Sequence, residues 1–100
     1  MSTIVFVTYR ATSKSRFDRD YYLNNHLPLV ATSWEKYGYE DSTALFPLNM
    51  STDTIAICEL RFRDDAALAA SLASDEASAV MADIENYTNI TAEFSRPTPL

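Results

Sequence analysis

The sequence predicts a small α+β domain in which one four-stranded antiparallel sheet carries its helices on a single face. Short runs of β-branched and aromatic residues are interspersed with stretches whose apolar residues recur at helical spacing. These segments follow the order βαββαβ, the ferredoxin-like pattern. With 100 residues the chain suits one domain, spanning residues 1–100.

The first strand is Thr3 to Tyr9 (TIVFVTY). Lys14 to Arg16 is a polar loop, and Asp18 or Ser15 caps the helix that follows. Leu23, Leu27, Val30, Trp34 and Tyr37 then recur at helical spacing. Pro28 cannot donate a backbone hydrogen bond, so two helical pieces are expected, with Pro28 in the first turn of the second. Gly38 stands where a C-cap is wanted.

A second strand is expected over Tyr39 to Leu48, weakened by Pro47, then a polar loop from Asn49 to Asp53. Thr54 to Phe62 (TIAICELRF) is the third strand. Asp64 and Asp65 open an alanine-rich helix, where acids complement the helix dipole. Ser74 is a candidate second N-cap, and Ala77, Val80, Met81 and Ile84 form the buried stripe beyond it. Tyr87 to Phe94 completes the set, and the tail from Ser95, with Pro97 and Pro99, ends that strand.

Side chains of a strand alternate between faces. In strand one Val5, Val7 and Tyr9 point one way while Ile4 and Phe6 point the other. Strand three likewise sets Ile55 and Ile57 opposite Ala56, Cys58, Leu60 and Phe62. Helices on one side leave the other apolar face uncovered. A second copy of the same sheet is the simplest cover, so a homodimer is expected.

Composition removes several function classes. A net charge of -6 and a pI near 4.5 repel phosphate backbones, so nucleic acid is not an expected partner. One cysteine allows no intrachain disulfide, and one histidine with one cysteine argues against ordinary zinc or His-rich iron sites. A single glycine leaves no Gly-rich phosphate loop or nucleophile elbow. No apolar stretch reaches membrane length, and no charged lead precedes the first apolar run, so the expected setting is the cytoplasm.

The lone histidine, His26, lies four residues after Tyr22, so both point to one side of a helix. Placed near the end of the first helical piece, His26 would be favoured in its protonated form by the dipole. It reads either as a proton-transfer or substrate-binding group, or as a structural histidine bonded to spare carbonyls. Tyr9 belongs to a pocket mouth or to packing. Arg61 faces a substrate carboxylate or a surface acid, and Glu59 is a base if buried or a solvated strand end if not. Cys58 reads as a small buried hydrophobe.

The segment Phe17-Asp18-Arg19-Asp20-Tyr21-Tyr22-Leu23-Asn24-Asn25-His26-Leu27-Pro28-Leu29-Val30 resembles the EthD family pattern, in which an aromatic and an acid precede paired aromatics and a His-x-Pro-Leu run. The family takes its name from ethyl tert-butyl ether degradation. The resemblance implies a dimeric α/β barrel with a pocket between sheet and helices, and it maps the family histidine onto His26 and its aromatic neighbours onto Tyr21 and Tyr22. The alanine-heavy second helix and the loosely similar last strand depart from the pattern, which leaves the far wall of the pocket undefined.

Three functions follow. The first is a cofactor-free enzyme, of isomerase, decarboxylase or oxidoreductase type, acting on a small hydrophobic or aromatic metabolite. In it His26 moves a proton, Tyr22 stabilises charge, and Tyr21, Tyr9, Arg61 and Glu59 are candidates to contact substrate. The second is a binding or accessory protein of an oxidative degradation pathway. The third is a haem-linked oxidoreductase using His26 as a single axial ligand.

Overall fold

A computed structural model of the chain describes residues 2–47 and 53–96. Four strands, β1 (Thr3–Arg10), β2 (Tyr39–Leu45), β3 (Thr54–Phe62) and β4 (Glu93–Ser95), form one sheet in the order β2-β3-β1-β4, and every neighbouring pair is antiparallel. This is the expected ferredoxin-like layout. β1 and β3 are central because they carry the longest β-branched runs and pair along almost their full length, Thr3 opposite Phe62 and Val7 opposite Cys58.

The two faces of these strands divide as alternation requires. Val5, Val7 and Tyr9 of β1 and Ala56, Cys58, Leu60 and Phe62 of β3 are buried beneath the helices. Ile4, Phe6, Ile55 and Ile57 occupy the outer face and are half-buried within one chain.

The helical segment between β1 and β2 differs from expectation. α1 (Arg19–Tyr21), a π-helical turn (Tyr22–His26), α2 (Leu27–Trp34) and a 3₁₀ turn (Glu35–Tyr37) form one continuous run. Pro28 has no N–H, and in a regular helix its ring would meet the carbonyl four residues earlier. The widened turn accommodates it: the Leu27 N–H donates to Tyr22 O, five residues back. The two pieces are therefore joined without a break, and His26 is not at a free helix C-terminus. Asp18 caps the start, accepting from the Tyr21 N–H at 3.0 Å. Gly38 ends the run at φ +109°, where its missing Cβ leaves room for Ala67.

α3 (Asp65–Ala73) is capped by Asp64, which accepts from the Ala67 N–H at 2.8 Å. α4 (Glu76–Asp83) follows after a sharp corner. Ser74 does not cap α4 with its side chain; its hydroxyl donates back to Ser71 O at 2.6 Å.

β2 ends at Leu45 and not Leu48, and β4 is three residues long instead of starting at Tyr87. Tyr87 and Thr88 hold the segment before α1 instead. Asp18 N–H donates to Tyr87 O at 2.8 Å, and the Thr88 hydroxyl donates to Arg16 O at 2.7 Å. Residues 49–52 of the expected loop, Leu48, and Pro97 and Pro99 of the tail lie outside the described residues.

Candidate functional site

His26 sits in the π-helical turn, 5 % exposed, with its Nδ1 2.9 Å from Oδ2 of Asp83, the last residue of α4. The same carboxylate accepts at Oδ1 from the Tyr21 hydroxyl at 2.6 Å and from Asn86 Nδ2 at 3.0 Å. Three donors from two helical runs thus converge on one side chain. Burial pushes the Asp83 carboxyl upward, but these hydrogen bonds outweigh it and hold the group below the usual carboxylate range.

Burial lowers the His26 pKa from its ordinary 6.5, and the opposing pull of Asp83 does not restore it. The pair at neutral pH is therefore a neutral imidazole hydrogen-bonded to a carboxylate. This corrects the expectation that a helix terminus would favour the charged ring. A carboxylate accepts only, so Nδ1 carries the proton and Nε2 keeps a lone pair.

An aromatic cage holds the imidazole. Tyr22 stacks on it with centroids 5.6 Å apart, and the Tyr87 ring lies 4.6 Å away. Tyr9, expected at a pocket mouth or in packing, is buried among Phe17, Tyr22 and Tyr87, and its hydroxyl meets that of Tyr87 at 2.7 Å. It is the ring of Tyr22, stacked on the imidazole, that meets His26. Burial raises the pKa of Tyr9, Tyr22, Tyr87 and Cys58, which keeps all four protonated.

The space against His26 is narrow, about 30 Å³, and is walled by Val7, Tyr22, Val30 and Ile84 among others. A macrocycle such as haem does not fit there. Trp34, Leu60, Met81 and Phe94 are shared with a wider cavity of about 480 Å³ that continues past Phe62, Leu68 and Leu72. The two spaces lie side by side under the helices with these four residues as common walls, and together they make up a crevice region whose larger space does not touch His26.

Of the sequence-level candidates, His26, Tyr22, Tyr21 and Tyr9 come together. Glu59 and Arg61 do not join them. They project from the outer face of β3, paired with each other at 2.8 Å, and Arg61 also reaches Asp41 at 3.3 Å. Asp83, Asn86 and Tyr87 were not anticipated. The one available signal was Asp83 itself, a carboxylate in the last turn of a helix, where the dipole disfavours it.

No family model matches this chain, and no curated protein does. Its fold is shared with solved structures. An EthD-like protein from Ralstonia eutropha JMP134 is 24% identical over 94% of this chain and 89% of its own, with a TM-score of 0.76. An ethyl tert-butyl ether degradation (EthD) family protein from Bacillus halodurans C-125 is 18% identical, covering 98% of this chain and all of its own, at 0.71. SnoaB from Streptomyces nogalater, a cofactor-independent oxygenase, is 14% identical over 99% of this chain and 92% of its own, at 0.66. The expected resemblance to EthD-like proteins thus holds at the level of fold. Among the described residues no helix is long and apolar enough to cross a membrane.

Proposed function

We propose that this chain is an EthD-like protein that binds a small hydrophobic or aromatic metabolite in the crevice and moves a proton on it with His26, without a cofactor. The observation that carries this reading is the buried imidazole whose Nδ1 is held by Asp83. Nε2 of such a ring keeps its lone pair and can act as a base, and His26 lines the narrow space. When it takes a proton, the Asp83 carboxylate stabilises the imidazolium, and Tyr21 and Asn86 keep that carboxylate in place. The cage around the ring excludes water, which strengthens each of these interactions. Isomerisation, decarboxylation and cofactor-free oxygenation all use such a proton transfer. Similarity of fold to a cofactor-independent oxygenase fits this class.

The outer sheet face supports a homodimer. Ile4, Phe6, Ile55 and Ile57 lie together there, beside the exposed Leu45, and a second copy would cover them. We place this dimer in the cytoplasm, serving a degradation pathway.

Proton transfer is tested directly by solvent exchange. The protein is incubated in deuterium oxide with a panel of aromatic ketones and lactones, and deuterium at the acidic carbon is followed by NMR. Exchange should depend on the protein and fall by about 100-fold or more in His26→Gln, with binding retained. Exchange unchanged by that substitution would reduce His26 to a structural role.

A second reading is a binding or accessory protein with no turnover. The geometry that favours it is the narrowness at His26: the space able to hold a whole ligand lies at Trp34. Binding without any exchange would establish it.

A further inference from the structure

The space beside His26 holds about 30 Å³, while the ligand-sized cavity of about 480 Å³ does not touch the imidazole. Of their four common walls, Trp34 is 2 % exposed and Leu60 8 %, so packing fixes both. Met81 is 41 % exposed and Phe94 57 %. Phe94 lies opposite Val7 in the β1–β4 register, which puts it on the helix side of the sheet. Its strand is a three-residue edge strand, so little packing restrains the ring. Met81 and Phe94 also border a third, open depression of about 410 Å³, together with Ile84, Thr88 and Ile90. A side chain that leaves the common wall therefore has space to enter.

We propose that Phe94 and Met81 form a gate to His26, and that the Phe94 ring sets the girth of the ligand group that reaches the imidazole. This rests on the crevice being the ligand site, as proposed above. The two side chains line all three spaces, so a ligand coming from the cavity or from the open depression meets the same pair. Displacing the buried Trp34 or Leu60 would leave a void in the core. Displacing Phe94 or Met81 takes a rotamer change of an exposed side chain, and methionine is flexible besides. A slender apolar group passes such a gate and a branched one does not. Phe94 is thus a specificity-determining residue and takes no part in the proton transfer itself.

His26 is the only histidine, so its acylation reports access to the narrow space at one site, read by peptide mass spectrometry. The probes are diethyl pyrocarbonate and the branched di-tert-butyl dicarbonate, each rate being divided by that of the urea-unfolded chain. In the unmodified protein the branched reagent should be the slower on this scale. Phe94→Ala should speed diethyl pyrocarbonate by about tenfold, as removal of a gate whose open state is a minor one would, and should remove most of the size discrimination. Phe94→Trp should slow both reagents, which a loosened fold cannot do. Equal rates in the three proteins, acceleration in Phe94→Ala without slowing in Phe94→Trp, or no size discrimination in the unmodified protein overturns the gate and leaves the crevice as ligand site. If His26 is acylated only as fast as the chain unfolds, in Phe94→Ala as well, the gate and the crevice reading fail together.

Discussion

His26 and Asp83 are 57 positions apart in the chain and meet at 2.9 Å, one from a π-helical turn and the other from the last turn of α4. Neither position is natural for its residue in isolation. The turn is widened because Pro28 follows, and the carboxylate stands at the unfavourable end of a helix dipole. Each local cost is offset by the contact the two make with each other.

Asp83→Asn keeps the size of the side chain and removes its charge. The His26 pKa, already lowered by burial, should fall further, because Asp83 is the group that raises it. The deuterium exchange described above should slow by roughly 10–100-fold, since the imidazolium loses its counter-charge. A titration of the imidazole by NMR in both proteins checks this; an unchanged or higher pKa in the variant would contradict it.

Stability should depend on His26 in a defined pH range. Its folded pKa is below the ordinary 6.5, so the unfolded chain binds the proton more readily. Stability is thus complete above about pH 6.5 and declines as pH falls through the folded pKa. Urea unfolding between pH 7.5 and 5 should show that decline in the unmodified protein and a flatter profile in His26→Gln. Stability that rises on acidification would mean that the pair is an ion pair.

Gly38→Ala should destabilise the fold by about 1–3 kcal/mol, measured as a lower urea midpoint. The position has φ +109°, and an added Cβ would stand 2.5 Å from the Ala67 Cβ. Loss of less than a few tenths would show that the 3₁₀ turn and α3 shift apart freely.

Ile57→Lys tests the outer sheet face. Ile57 lies mid-face, opposite Thr8 on β1 and Leu45 on β2. Light scattering should give two chains per particle for the unmodified protein and one for the variant, with the far-UV circular dichroism kept. A monomer before substitution would remove the dimer from the account.

The strands were legible because their periodicity of two is local. β3 runs over Thr54–Phe62 as expected, and the buried set Val5, Val7, Tyr9 follows from alternation alone. Asp18 and Gly38 were legible as caps for the same reason: the chemistry of each acts within four residues. Tyr87 was misread because its aromatic, β-branched surroundings suit a strand, whereas its carbonyl is committed to Asp18. The site was half legible. His26, Tyr21 and Tyr22 share one segment, but Asp83 reaches them through tertiary packing that no local pattern encodes. Arg61 and Glu59 were ambiguous from sequence, and the register of β3 turns both outward.

The most direct measurement is ¹⁵N NMR of the single imidazole across pH. The account predicts a neutral ring at pH 7 with the proton on Nδ1, a bare Nε2, and a pKa below the ordinary 6.5. A ring protonated at pH 7, or a neutral ring carrying its proton on Nε2, would contradict it.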